Sequence, residues 1–364
     1  MVQFDPSWVS NSSKQHLVPN TYLKAWSDNN VDVYYIDKNE SKIDFSKEEF
    51  QRKTRRLTTI KEFYSRNIYS EFFENNDLEE IFKPLTSQKY SVVFEKEKIE
   101  SVKKLRELFH QFNEWSIYDS NQILISEEQK QVLKEDIKKV RIRNIEEAWN
   151  QMFEDKWPTT RDAILQAVQA NLGAERISAV KREELIRFMV AIEWRTYPPQ
   201  QTLLKTFDEL ASLEFLSFLH EHVEEEEEKY LPMYSTHGEY FLHNITLKYF
   251  LAYFQNKGPM YDEYITMFNN MDIELLIPEA GFEFITSDNP VRMFTNSNNE
   301  LEYIFPITPV LACAIRKNSR NQDVSKYWIT TYPKEKVFIY NDNIRKSCYK
   351  GYVLKQPDLK VYFK

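Results

Sequence analysis

The chain has 364 residues, 42% of them hydrophobic and 15% aromatic, with a formal net charge of −8, enough apolar material for a sizeable core in one large elaborated domain or about two smaller ones. Glycine is scarce, at five residues, and neither GxGxxG nor GxxxxGK[ST] occurs, which excludes the glycine-rich loops that cradle nucleotide phosphates and leaves side chains or helix ends to hold any bound phosphate. The acidic balance excludes a surface coated in positive potential for duplex binding, while a local basic groove remains compatible with it.

Two cysteines, Cys313 and Cys348, are too few for a disulfide framework, and their separation matches no zinc pattern. The opening MVQFDPSWVSNSSKQ has neither a basic n-region nor an apolar h-region. No apolar run approaches the ~20 residues that cross a bilayer. The expectation is a reduced, cytoplasmic protein with no membrane partner.

In chain order, KQHLVPNTYLKAW (14–26) places Pro19 at the opening of a short helix, with Tyr22, Leu23 and Trp26 at helical spacing and His16 just ahead of it. Residues 31–36 alternate as a strand, with 42–45 as a hairpin partner, and 58–64 adds another strand. Lys53, Arg55, Arg56 and Lys61 form the nearest thing to a basic groove; without interleaved aromatic residues they read as a solvated face.

From about residue 98 to 256 the pattern is helical. Ser126-Glu127-Glu128 opens a charged helix that runs towards Trp157, where Pro158 interrupts it and residues 159–162 open the next. Further helices are predicted over 181–197, from 201 into the acidic run 224–228, and over 237–254. Beyond Lys257-Gly258 short strands are predicted at 273–277, 282–286, 291–295, 302–305, 311–316 and 328–331. Residues 337–340, a helix over 341–349 and strands at 352–354 and 359–362 complete the chain. The expected fold class is α+β: a central helical bundle packed against a mainly antiparallel or mixed sheet formed by the amino-terminal and carboxyl-terminal segments. It is expected as a single large domain over 1–364, with a β-containing subregion (1–97), a helical one (98–256) and a β-rich one (257–364).

The stretch FEFITSDNPV (282–291) reads as a strand ending in a tight turn, so Ser287, Asp288 and Asn289 collect at a strand's carboxyl end. Such a turn serves equally as an Asx cap on backbone amides. In the helix over 181–197, Phe188, Ala191, Ile192 and Arg195 follow the 0, 3, 4, 7 spacing, which turns the Arg195 guanidinium inward. A buried guanidinium needs an anion, either a carboxylate such as Asp288 or the phosphate or carboxylate of a ligand. His16 is a candidate general base or metal ligand. Glu239 and His243, four apart, share a helix face suited to an ion pair or a metal, whereas His220 and His222 diverge. Glu95-Lys96 and Pro357-Asp358-Leu359-Lys360 are fragments of a PD-(D/E)xK-type nuclease pattern that lack its ordered carboxylates.

Three fragments in order, KQHLVPNTYLKAW, LIRFMVAIEWRT (185–196) and FITSDNPV followed by FPITP (305–309), resemble the bacterial and fungal family known as domain of unknown function 4238. Its pattern is a His-x-x-Pro-x-x-Tyr-Leu opening, an Arg-Thr pair closing a helix and a Ser-Asp-x-Pro turn. The resemblance runs from about residue 14 to 354 and singles out His16, Pro19, Tyr22, Arg195, Thr196, Ser287, Asp288 and Pro290. It implies positions and no chemistry. One function hypothesis is a hydrolase, nuclease or phosphodiesterase-like, with His16 as proton carrier, Arg195 as anion stabiliser and Asp288 as orienting carboxylate or metal ligand, and with Tyr22, Thr196, Ser287 and Asn289 in binding roles. The alternatives are a non-enzymatic binding or sensing module for an acidic ligand, partner or nucleic acid, and a purely structural His16/Arg195/Asp288 network. A phage-defence setting is compatible with the binding reading. No cofactor or metal is specified.

Overall fold

The computed structural model describes residues 3–5, 7–8, 10, 12–40, 43–45, 48–196, 221–222, 236–295, 301–317 and 323–364. Its strands in chain order are β1 (Lys14–His16), β2 (Asp32–Asp37), β3 (Gln51–Lys53), β4 (Thr59–Lys61), β5 (Ser91–Phe94), β6 (Glu97–Ile99), β7 (Ser116–Tyr118) and β8 (Arg176–Ser178). They are followed by β9 (Met271–Pro278), β10 (Thr286–Ser287), β11 (Arg292–Thr295), β12 (Leu301–Thr308), β13 (Leu311–Lys317), β14 (Lys326–Tyr332) and β15 (Gly351–Leu354). The fold is α+β.

The largest sheet has the order β11-β12-β13-β9-β14-β8, antiparallel throughout except for the parallel β9/β14 pair. Its central strands are near-continuous apolar runs because both faces are covered. Leu275, Phe305, Cys313 and Ile315 face a core shared with the helices Trp157–Gln169, Arg182–Arg195 and His237–Phe254, while Leu276, Ile304, Ala312 and Ala314 face a second core under the helix Lys334–Ser347. The amino-terminal helix Asn20–Leu23 enters the first core through Tyr22, which stacks on Phe305 at 5.3 Å. A third apolar cluster, built from Ile81, Phe82, Phe112, Trp115 and Ile137, lies under the small sheet β6-β5-β7.

Several sequence expectations change. Of the hairpin partner expected at 42–45, residue 42 lies outside the described residues and 43–45 form no strand; the neighbours of β2 are β15 and β3, in the sheet β10-β15-β2-β3. The pairing with β15 brings the two ends of the chain together, and only glycine fits at its first position, because a Cβ on Gly351 would lie 2.3 Å from the Ile36 carbonyl oxygen. The region expected to be wholly helical contains β7 and β8. The charged helix after Ser126 has the expected capping box, with Ser126 accepting from the Gln129 amide, but it stops at Lys139, where Ile142 bridges to Arg66 in extended backbone. Pro158 lies in the first turn of Trp157–Gln169, where its missing N–H costs nothing. The same chemistry hid the helix Gly258–Asn270: Gly258-Pro259 reads as a break, yet the proline opens a helix. Residues 282–285 are extended without ladder bonds, so that strand shrinks to β10. Residues 337–340 belong to the helix Lys334–Ser347, and Leu359–Val361 is a 3-10 turn rather than a strand. The helix expected from residue 201, His220 and the acidic run 224–228 lie outside the described residues.

Candidate functional site

Arg195 ends its helix on the inward face, 1% exposed, as its spacing requires. Its Nε donates to the Tyr64 hydroxyl at 2.8 Å and its Nη1 to Glu154 Oε1 at 2.6 Å, while Nη2 donates to the His16 carbonyl. The Arg195 guanidinium also lies 4.9 Å from the Trp149 ring centroid. Glu154 reaches it because Asn150–Glu154 is a π turn, whose extra residue per turn re-aims side chains that an α-helix would place elsewhere. Burial lowers the Arg195 pKa, but Tyr64, Glu154 and Glu146 outweigh it and keep the guanidinium charged. Glu146 is 5% exposed, and among the described residues its Oε2 has no hydrogen-bond partner. Burial pushes its pKa up to about 8, with Arg195 opposing and Glu154 reinforcing the rise.

The partner expected for Arg195, Asp288, is engaged elsewhere. Its carboxylate accepts from the amides of Tyr349 (2.8 Å), Lys350 (2.6 Å) and Gly351 (3.2 Å), closing the turn that leads into β15. Burial raises the Asp288 pKa against these three N–H bonds. The turn is therefore an Asx-type cap made across sequence rather than within it. His16 meets Arg195 through its backbone; its ring Nε2 lies 3.1 Å from the Arg55 carbonyl. A carbonyl only accepts, so Nε2 carries the proton. Burial lowers the His16 pKa, which favours the neutral ring.

The four residues expected in binding roles divide into two buried contacts. The Tyr22 hydroxyl is 2.7 Å from both Thr286 Oγ1 and the Pro306 carbonyl. Thr196 donates to Asn289 Oδ1 at 2.9 Å, the Asn289 amide donates to Ser287 Oγ at 3.1 Å, and Asn289 Nδ2 donates to the Ser347 carbonyl. Each ties a helix or turn to the sheets. His243 is buried with its ring edge-on to Phe63 at 4.9 Å, and burial lowers its pKa to about 4. Cys313 and Cys348 are both unpaired and buried. Among the described residues no group of three or more His, Cys, Asp or Glu side chains is placed to hold a metal ion.

The basic residues gather in a way their spacing did not reveal. Strand β1 pairs antiparallel with β4 in the register Lys14↔Lys61, Gln15↔Ile60 and His16↔Thr59. Alternation sends Gln15 inward, where it accepts from the Tyr64 amide and donates to Ser65 Oγ at 3.1 Å, and leaves Lys14 outward opposite Lys61. Arg55 and Arg56, on the 3-10 turn Thr54–Arg56, complete a groove of about 660 Å³ lined by Lys14, Arg55, Arg56, Thr59 and Lys61. All four cations are exposed, and among the described residues none is in an ion pair. The nearest carboxylate in sequence, Glu62, is taken by Arg143 at 2.6 Å. Both residues flanking β4 have left-handed backbone, Thr58 at φ 54° and Glu62 at φ 58°. For β-branched Thr58 this conformation costs about 1–2 kcal/mol. Two 3.2 Å bonds between its Oγ1 and the Val18 backbone hold it there. The signal available in sequence was the stretch 51–61, which carries five cations and no carboxylate; the long-range pairing that adds Lys14 has no local mark.

The family model described as "Protein of unknown function (DUF4238)" matches residues 14–358. No curated protein and no solved structure matches the chain. The chain belongs to the DUF4238 family.

Proposed function

We propose that this DUF4238 member is a binding module for a phosphate-rich polyanion, single-stranded nucleic acid in particular, held on the basic groove between β1 and β4. The observation that carries the reading is the directly opposed Lys14↔Lys61 pair beside Arg55 and Arg56. Like charges opposite one another destabilise a two-stranded ribbon, so a groove built this way gains most when an anion fills it. Binding of a labelled single-stranded oligonucleotide, followed by fluorescence anisotropy across salt concentrations, tests it. Four phosphate contacts give a slope of about −3 in log K against log salt. Changing Lys14, Arg55, Arg56 and Lys61 together to Gln is expected to lower affinity by more than tenfold and flatten that slope. Binding that is unchanged in this variant, or absent from the natural chain at low salt, overturns the reading.

A hydrolytic reading draws on one further observation: His16, opposite Thr59 in the ribbon, is half-buried beside the same groove. In that version His16 carries the proton, Arg195 acts by holding the strand at the His16 carbonyl rather than by touching phosphate, and Asp288, which caps the turn into β15, takes no direct part. Loss of phosphodiester cleavage in His16→Gln with oligonucleotide affinity retained separates the two; a natural chain that binds without cleaving leaves the binding module alone.

A further inference from the structure

A second cavity, of about 400 Å³, lies away from the ribbon and is walled by Met152, Phe153, Lys156, Trp157, Lys181 and Phe188 among others. That volume is in the range of small-molecule sites. Two helices begin at its wall, Trp157–Gln169 after Lys156 and Arg182–Arg195 after Lys181, and neither has a side-chain cap. The Arg182–Arg195 end is already met by Glu184, whose carboxylate takes its own backbone amide, so the end left open to the space is that of Trp157–Gln169. Trp157 is 1% exposed and lies flat on Phe188 with ring centroids 4.0 Å apart, yet among the described residues its indole Nε1 has no acceptor. A buried N–H without a partner is rare and calls for one.

The charges at the wall are unequal. Glu183 is held by Arg187 at 3.0 Å and Glu184 by Lys181 at 2.8 Å. Lys156 is half-buried and makes no ion pair among the described residues, although the Glu184 carboxylate feels its charge. The π turn Asn150–Glu154 just before it places Met152 and Phe153 on the apolar side of the same space.

We propose that this cavity binds a small organic anion, a phosphate or carboxylate group joined to a compact apolar body. The charged group meets Lys156, the amino-terminal end of Trp157–Gln169 and the Trp157 indole N–H, and the apolar body lies against Met152, Phe153 and Phe188. The site is independent of the ribbon. Calorimetric titration of the full chain with phenyl phosphate, benzoate, inorganic phosphate and benzyl alcohol tests it. Phenyl phosphate or benzoate is expected to bind in the millimolar range or tighter, inorganic phosphate more weakly, and benzyl alcohol without measurable heat. Lys156→Met is expected to weaken the bound anion about tenfold with the melting temperature of the free chain essentially kept, and Trp157→Phe, which removes the N–H together with part of a buried ring, to weaken it several-fold with a lower melting temperature. The ribbon variant with Lys14, Arg55, Arg56 and Lys61 changed to Gln is expected to bind phenyl phosphate as the natural chain does. Equal heats for phenyl phosphate and benzyl alcohol, no binding of either anion, or binding insensitive to both Lys156→Met and Trp157→Phe overturns the proposal; loss confined to the ribbon variant places the anion at the ribbon instead.

Discussion

Arg195 and the β1/β4 ribbon meet at the His16 carbonyl and treat charge in opposite ways. Arg195 is enclosed, and its guanidinium is divided among Glu154, Tyr64 and the His16 carbonyl. One strand outward, Lys14 faces Lys61 with Arg55 and Arg56 alongside and no carboxylate among them. A buried cation must be matched inside the protein or the fold pays heavily, whereas an exposed one can be left for a partner. The residues that converge most tightly are therefore matched within the protein, and the cations of the ribbon are the ones the proposed function gives to a ligand.

The largest test of this contrast is Arg195→Met, which strands Glu154 and the Tyr64 hydroxyl in the core. A loss of about 3–5 kcal/mol in urea unfolding is expected; a variant as stable as the natural chain would remove Arg195 from the clamp. Glu146 gives a second test through pH. Its folded pKa, about 8, lies above the ordinary carboxyl value of 4.5, so the folded state binds the extra proton between those values and the stability tied to it is full below 4.5 and lost as pH rises through 8. Glu146→Gln is expected to match the natural chain near pH 4.5 and to melt several degrees higher at pH 9; equal melting curves at both pH values would contradict the assignment.

Smaller effects sharpen the picture. The hairpin between β5 and β6 turns through Glu95 and Lys96, both at positive φ (50° and 70°). That backbone suits Asn-Gly, so Lys96→Gly should add up to about 1 kcal/mol by relieving the left-handed strain; a loss of stability on urea titration would show that the lysine side chain matters there. Lys61→Thr is expected to raise stability by a few tenths of a kcal/mol, by ending the Lys14 repulsion, while weakening oligonucleotide binding. A change of both in the same direction would mean that the pair is not held in opposition.

What could be read in advance follows from how local each cause is. The inward face of Arg195 came from four residues on one helix, and the central strands β12 and β13 announced themselves because both of their faces are buried. The anion that meets Arg195 did not, since Glu154 is aimed by a π turn whose geometry no helical period reports. Glu95-Lys96, which resembled a piece of a nuclease pattern, is a hairpin turn without the usual glycine. Strand β4 lies within the stretch 58–64 that read as a strand, whereas β1 is three polar residues, too short for alternation to register. Their pairing, which creates the groove, is a tertiary fact. Asp288 was legible as a cap, but the amides it caps lie about 60 residues downstream, beyond the reach of any turn motif.

The pairing of β2 with β15 sets an order of events on the ribosome. Strand β2 leaves the exit tunnel early, yet its partner is on the order of 300 residues behind it, and at roughly 5–20 residues per second the wait is about 15–60 s. Throughout that interval the β2 edge facing the future β15 carries free amides and carbonyls, and Ile36 lacks the cover it later finds beside Tyr352 and Leu354. The turn capped by Asp288 and closed by Gly351 is what seals it. A nascent chain cut short before that point carries an open strand edge, the kind of surface that chaperones and proteases recognise first.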